Sequence, residues 1–321
     1  MKEYDKNYEY LLTADTRQIG YYIIEFYKVL IEIGNTEYIN NFLENIKSLK
    51  VKKVSANNKK TGFFTAAQYF SDKNLIEYSE KYAFMIFHEL FHLASCNYKK
   101  NKVGLKKVVD NHRAYGQGCN EGYTTLLTER YFYNEFTSYL FLPEIFVTIE
   151  NALGVKKMSS LYFNEDPDNF YDELEKYLSK EEVNTFIHNT DFLLNAMLKD
   201  FNTIFRRKKI YKSLKDTCDI VFKFIIKKTE DEYVNNIITL EEASNIVDSI
   251  YDMDYNYIFK KEIFGLYMYK LYDFESLTSL INNTATKFKV PEEYIDDDFY
   301  FYKKKNGIHR VKKKEIKYIE S

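Results

Sequence analysis

Residues Phe84–Ser95, FMIFHELFHLAS, carry His88, Glu89 and His92 in the spacing H-E-x-x-H. On a helix, residues four apart stand one turn above each other on one face, so both imidazoles reach toward a common point. Neutral imidazole nitrogens hold Zn²⁺ at about 2.0–2.1 Å, and a glutamate beside the first histidine falls next to the open coordination position. The chain has 5 His and 29 Glu in 321 residues. Such a string then arises by chance about 0.007 times in a chain of this composition.

Two histidines do not complete a zinc site, and the third ligand is expected from Cys119–Phe132, CNEGYTTLLTERYF. Helical spacing puts Tyr123, Leu126, Leu127 and Tyr131 on one side of this segment, with Glu121, Thr124, Thr125 and Thr128 on another. A helix that carries Glu121 onto the histidine pair gives His₂Glu with one open position, the ligand set of a catalytic zinc site. One Zn²⁺ per chain, held by His88, His92 and Glu121, is the expected cofactor.

His88-Glu89-x-x-His92 followed by Asn120-Glu121-Gly122 resembles the gluzincin zinc metallopeptidases, the thermolysin-like branch of the zincins, across Val51–Leu161. The resemblance implies a zincin-like core with a small mixed β-sheet ahead of the H-E-x-x-H helix. It also implies hydrolysis of peptide or protein substrates by a metal-activated water, with Glu89 as general base. Thermolysin-type members carry an aspartate four residues after the metal-binding glutamate, where it orients the first histidine; this chain has Thr125 there. Another acceptor must therefore take the free imidazole N–H, with Thr124, Thr125 or a residue of another segment expected. Asn120, His112 and Tyr131 complete the candidates for supporting the ligands or a developing oxyanion, and His188, Arg130 and Tyr133 belong to the same wider pool.

The whole chain sets the bounds. Its length suffices for one large or two ordinary domains. Net charge is −2, from 46 basic and 48 acidic residues, which gives no electrostatic case for nucleic acid or a membrane surface. Cys96, Cys119 and Cys218 form neither an even disulfide framework nor a C-x-x-C pair, as in a reducing compartment. The start, MKEYDKNYEYLLTADTRQ, lacks the apolar run of a signal peptide, and Ile19–Ile33 is interrupted by Glu25, Lys28 and Glu32. A cytoplasmic protein without a membrane span is expected. Heavy use of Lys, Ile, Asn and Tyr, with 31 Tyr and no Trp, points to an AT-rich bacterial genome.

The expected fold class is α+β and predominantly helical. Residues 1–50 hold two helices, Asp15–Ile33 and Thr36–Leu49, separated at Gly34-Asn35 and packing on the core. Residues 51–161 form the zincin-like core, with strands at Val51–Ala56, Phe63–Tyr69 and Asn74–Tyr78 and a lysine-rich, solvated loop over Asn97–Gly118. Phe63–Tyr69 is the strand expected to border the cleft. Residues 162–290 form a helical region with segments at Asp168–Leu178, Lys180–Lys199, Thr203–Thr229, Thr239–Tyr251 and Ile258–Thr284; a further helix is read at Tyr139–Leu153, and Pro143 and Pro167 mark breaks. Residues 291–321 form a charged tail with a hairpin around Asn306-Gly307.

Two other functions compete with the peptidase. A catalytically inactive zinc-binding protein with a peptidase-derived fold, acting as a protein-interaction module, is favoured by the missing aspartate and opposed by the intact Glu89. A nucleic-acid-associated protein built on the lysine-rich loop and tail is opposed by the near-zero net charge.

Overall fold

Apolar residues at helical spacing form α1 (Gly20–Ile33) and α2 (Thr36–Ile46) in a computed structural model that describes residues 3–34, 36–55, 67–97, 102–110, 113–132, 142–164, 166–197, 204–251, 299–304 and 307–312. Gly34 ends α1 at φ 83°, a left-handed conformation that glycine adopts without steric cost. Three short strands follow: β1 (Lys50–Lys53), β2 (Ala67–Phe70) and β3 (Leu75–Tyr78). They pair in the order β1-β3-β2, with β1 parallel and β2 antiparallel to β3, so β2 lies at an edge among the described residues. This is the small mixed sheet expected ahead of the histidine helix, α3 (Ile86–Ser95).

The segment read as a solvated loop is instead a meander of short antiparallel strands: β4 (Cys96–Asn97), β5 (Lys102–Val103), β6 (Lys106–Asp110) and β7 (Arg113–Tyr115). Val103 pairs with Lys106 across Gly104-Leu105, and Gly104 has φ +54°. That is a two-residue hairpin with glycine at its first central position, a pairing the lysines obscured. Lys102, counted among the solvated lysines, is fully buried.

Seven helices follow among the described residues: α4 (Gln117–Phe132), α5 (Leu142–Leu153), α6 (Val155–Phe163), α7 (Pro167–Glu175), α8 (Lys180–Met197), α9 (Ile204–Val234) and α10 (Leu240–Tyr251). Pro143 sits in the first turn of α5 and Pro167 opens α7 behind an Asp166 cap, so both prolines begin helices. Helix α6 had no counterpart in the sequence reading. Its nine residues show only Met158, Leu161, Tyr162 and Phe163 as large apolar buried groups. β8 (Phe299–Lys304) and β9 (Gly307–Lys312) form the tail hairpin, with Lys304 opposite Gly307. The expected helix at Ile258–Thr284 lies outside the described residues.

One hydrophobic cluster runs from Ile19 to Ile225, and α3 lies within it with all ten residues buried. The aromatic side of α3 faces α1 and the end of α4: Phe91 meets Phe26 at 4.8 Å between centroids, and Phe87 stacks on Phe132 at 3.8 Å. From α2, Asn45 donates to the carbonyls of Leu93 (2.8 Å) and Cys96 (2.9 Å), and Asn41 donates to Cys96 (2.9 Å). These amides bind carbonyls at and just past the end of α3, where Leu93 O also accepts the Cys96 N–H. The N-terminal helices therefore seat the histidine helix.

Farther out, Ser179-x-x-Glu182 closes a capping box at the start of α8. Ser179 N–H donates to Glu182 Oε2 at 2.9 Å, and Glu182 N–H donates to Ser179 Oγ at 3.3 Å. The ion pair with Lys223, followed by the Ser179 N–H, lowers the Glu182 carboxyl to about 2. A depressed folded-state pKa contributes stability above the ordinary glutamate range and loses it as pH falls toward 2. Glu182→Gln should lower stability by about 1 kcal/mol at neutral pH, allowing for an ion pair partly screened by solvent. In urea titrations the gap between the variants should close between pH 4.5 and about 2. A gap independent of pH would remove the charge from the explanation.

Candidate metal centre

Helix α3 presents three faces. Phe87 and Phe91 enter the aromatic core, Glu89 turns to β2, and His88 and His92 turn to α4. On α4, Glu121 sits in the second turn and reaches both rings. Its Oε2 lies 3.1 Å from His88 Nε2 and 3.4 Å from His92 Nε2, and the two Nε2 atoms are 3.2 Å apart. A tetrahedral ion with bonds of about 2.0–2.1 Å separates its ligands by about 3.3–3.4 Å. The donor set and its spacing therefore fit one metal ion. Among the described residues, this is the one group of three or more His, Cys, Asp or Glu side chains close enough together to hold an ion.

His88, Glu89, His92 and Glu121 are each at most 9% exposed. Burial disfavours the Glu121 carboxylate, but the two imidazoles outweigh it and hold its carboxyl well below the usual range. Burial likewise opposes a charged His88. Its contact with Glu121, with the Glu89 and Glu121 charges, raises it nonetheless. A cation binding here competes with the proton for the His88 ring. Glu89 departs in the sense opposite to Glu121: burial raises its pKa more than His88, His92 and a hydrogen bond lower it. That bond comes from the edge strand, where Tyr69 N–H donates to Glu89 Oε2 at 2.7 Å.

Side chains of α4 support the rings from behind. Asn120 Nδ2, a donor, lies 3.2 Å from His92 Nδ1, and Asn120 Oδ1 accepts the Leu105 N–H at 3.2 Å. Thr124 Oγ1 lies 3.5 Å from the same ring nitrogen and contacts Tyr162 Oη at 2.7 Å. Thr128 Oγ1 lies 3.5 Å from His88 Nδ1. Of the sequence candidates, Asn120 and Thr124 are thus beside the rings. Thr125 is not: its buried hydroxyl has no hydrogen-bond partner among the described residues. Tyr131 is half-buried on the core side, with its ring 6.5 Å from Phe91. Arg130 is committed to Glu150, which also accepts from Tyr123 Oη at 2.6 Å. His188 is exposed on α8, while His112 and Tyr133 lie outside the described residues.

The sequence reading missed Thr128 as a ring contact, although it stood on the face assigned to Glu121. It also missed Tyr162, because α6 was not read, and Asp191, which is distant in sequence. Asp191 accepts from Gly118 N–H at 2.6 Å and Gly116 N–H at 3.2 Å, capping the start of α4 from α8. Cys119, beside Asn120, is buried, and desolvation pushes its thiol up to about 12. Nucleophilic thiol chemistry is therefore a poor account of this site.

The described residues include no helix long and apolar enough to cross a membrane. Comparison with protein-family models, with curated proteins and with solved structures found no match for this chain.

Proposed function

We propose that this chain is a zinc-dependent peptidase of the gluzincin kind, with His88, His92 and Glu121 holding the ion and Glu89 as general base. The convergence of three ligand atoms within 3.1–3.4 Å of one another is the observation that carries this reading. An ion bound there supplies Lewis acidity toward a carbonyl oxygen and lowers the pKa of water at its open position. Glu89 takes the proton as water attacks the peptide carbonyl and returns it to the leaving amine as the C–N bond breaks. Glu89 is not a ligand in this scheme, and its bond to Tyr69 N–H is consistent with a carboxylate held aside from the ion.

A zinc-binding protein that no longer hydrolyses anything is the second reading. The burial of all four residues and the strand's hold on Glu89 favour it. One experiment separates the two. Purified full-length protein is analysed for metal, then incubated with a mixed-sequence peptide library with and without a chelator. The peptidase predicts one zinc per chain and cleavage that stops with the chelator and returns with added zinc. Bound zinc without cleavage selects the second reading, and a chain that takes up no metal removes both.

A further inference from the structure

We propose that Thr128 is a positioning residue for His88, supplying the acceptor that holds the ring's Nδ1 proton so that Nε2 faces the metal. The inference rests on the metal-binding part of the reading above and not on hydrolysis. His88 Nε2 points to Glu121 Oε2, so an ion bound there requires that ring's remaining proton on Nδ1. Histidine ligands ordinarily donate that proton to an acceptor, which fixes both tautomer and ring orientation. Thr128 Oγ1 donates its own proton to Thr124 O, four residues back, at 2.7 Å. It therefore turns a lone pair, and no proton, toward His88 Nδ1 at 3.5 Å. This is a long contact of the kind that tightens when the ring is fixed from its other side.

Helix geometry explains why this position serves and Thr125 does not. Seven residues after Glu121, a side chain has turned to within about 20° of the same azimuth, against about 40° for the position four residues on. Thr128 is buried, so bulk water does not compete for the ring. Thr125 is buried too, yet its hydroxyl has no partner among the described residues. Glu129, the next residue, adds negative charge near the same ring and is the rival for the role.

The test measures Zn²⁺ affinity by competition with a chromogenic chelator in full-length wild type, Thr128→Val, Thr128→Ser, Thr125→Val and Glu129→Gln, with thermal unfolding of each as a control. Histidine ¹⁵N spectra of the zinc-loaded proteins report the tautomer at His88. Thr128→Val should bind zinc about 10–100-fold more weakly. Thr128→Ser should restore most of that affinity, Thr125→Val should bind as wild type does, and Glu129→Gln, which removes only a nearby charge, should lose less than Thr128→Val. If Thr128→Val does not fold, Thr128→Ala carries the same expectation. Wild-type affinity in the hydroxyl-free variant, no rescue by serine, or a loss in Glu129→Gln as large as in Thr128→Val would each overturn the assignment while leaving the metal site standing. A wild type that binds no zinc would instead remove the metal site itself.

Discussion

Glu89→Gln is expected to keep zinc as tightly as wild type and to lose about 10²–10⁴-fold in turnover, the range for removing a general base. Glutamine preserves the shape at this position, and its amide oxygen can still accept the Tyr69 N–H now bonded to Oε2 at 2.7 Å. The ligand triangle involves no atom of Glu89, so metal content and affinity should not move. What disappears is a group that can take a proton and give it back. The buried carboxylate has its pKa raised, with desolvation outweighing the two histidines and the strand N–H. A raised folded-state pKa favours folding at low pH and costs stability as pH rises through it. The metal-free glutamine variant should therefore be more stable than metal-free wild type at neutral pH, and the difference should shrink on acidification. Calorimetry across pH, beside metal analysis and peptide turnover, checks all three. A glutamine variant with full activity would show that another residue is the base; one that lost zinc would show Glu89 to be a ligand.

Much of this site was legible because its information is local. Four-residue spacing puts His88 and His92 on one face wherever that helix packs, and the alternation around Glu121 marks a second helix with one polar side. The mixed sheet ahead of α3 was legible for the same reason, from short runs bounded by polar clusters. The failures share a different cause. Lys102 read as solvated because a lysine says nothing about the meander that buries it. Thr125 and Thr128 are chemically identical in the sequence; only the rotation of α4 against α3 separates the hydroxyl beside a ring from the one without a partner among the described residues. Asp191 and Tyr162 reach the site across 73 and 38 residues of chain, from helices whose own patterns speak only of core. Periodicity finds faces, but it does not say which face meets which.

The seat of α4 makes the other large effect. At Gly118 an added Cβ would lie 2.2 Å from Thr190 O and 2.7 Å from Asp191 N, both backbone atoms of α8. Backbone within a helix has no rotamer to yield, so Gly118→Ala must drive α4 and α8 apart. The same displacement strips the Asp191 carboxylate from the N–H groups of Gly116 and Gly118. Overpacking costs about 1–3 kcal/mol, and losing a buried charge-assisted hydrogen bond costs about as much again. A loss of about 3–5 kcal/mol is expected, a large share of the total stability of an ordinary domain. Zinc affinity should fall with it, because Glu121 stands three residues along and moves with the helix. Gly122→Ala makes the informative comparison: its Cβ would meet the Phe146 ring at 2.7 Å, which can turn aside, and Leu142 Cβ at 2.8 Å, which shifts only with the start of α5. That variant should lose less in urea denaturation and keep more of its zinc affinity. If Gly118→Ala unfolded at the wild-type midpoint, the two helices could not be in the backbone contact that sets Glu121 against the histidines.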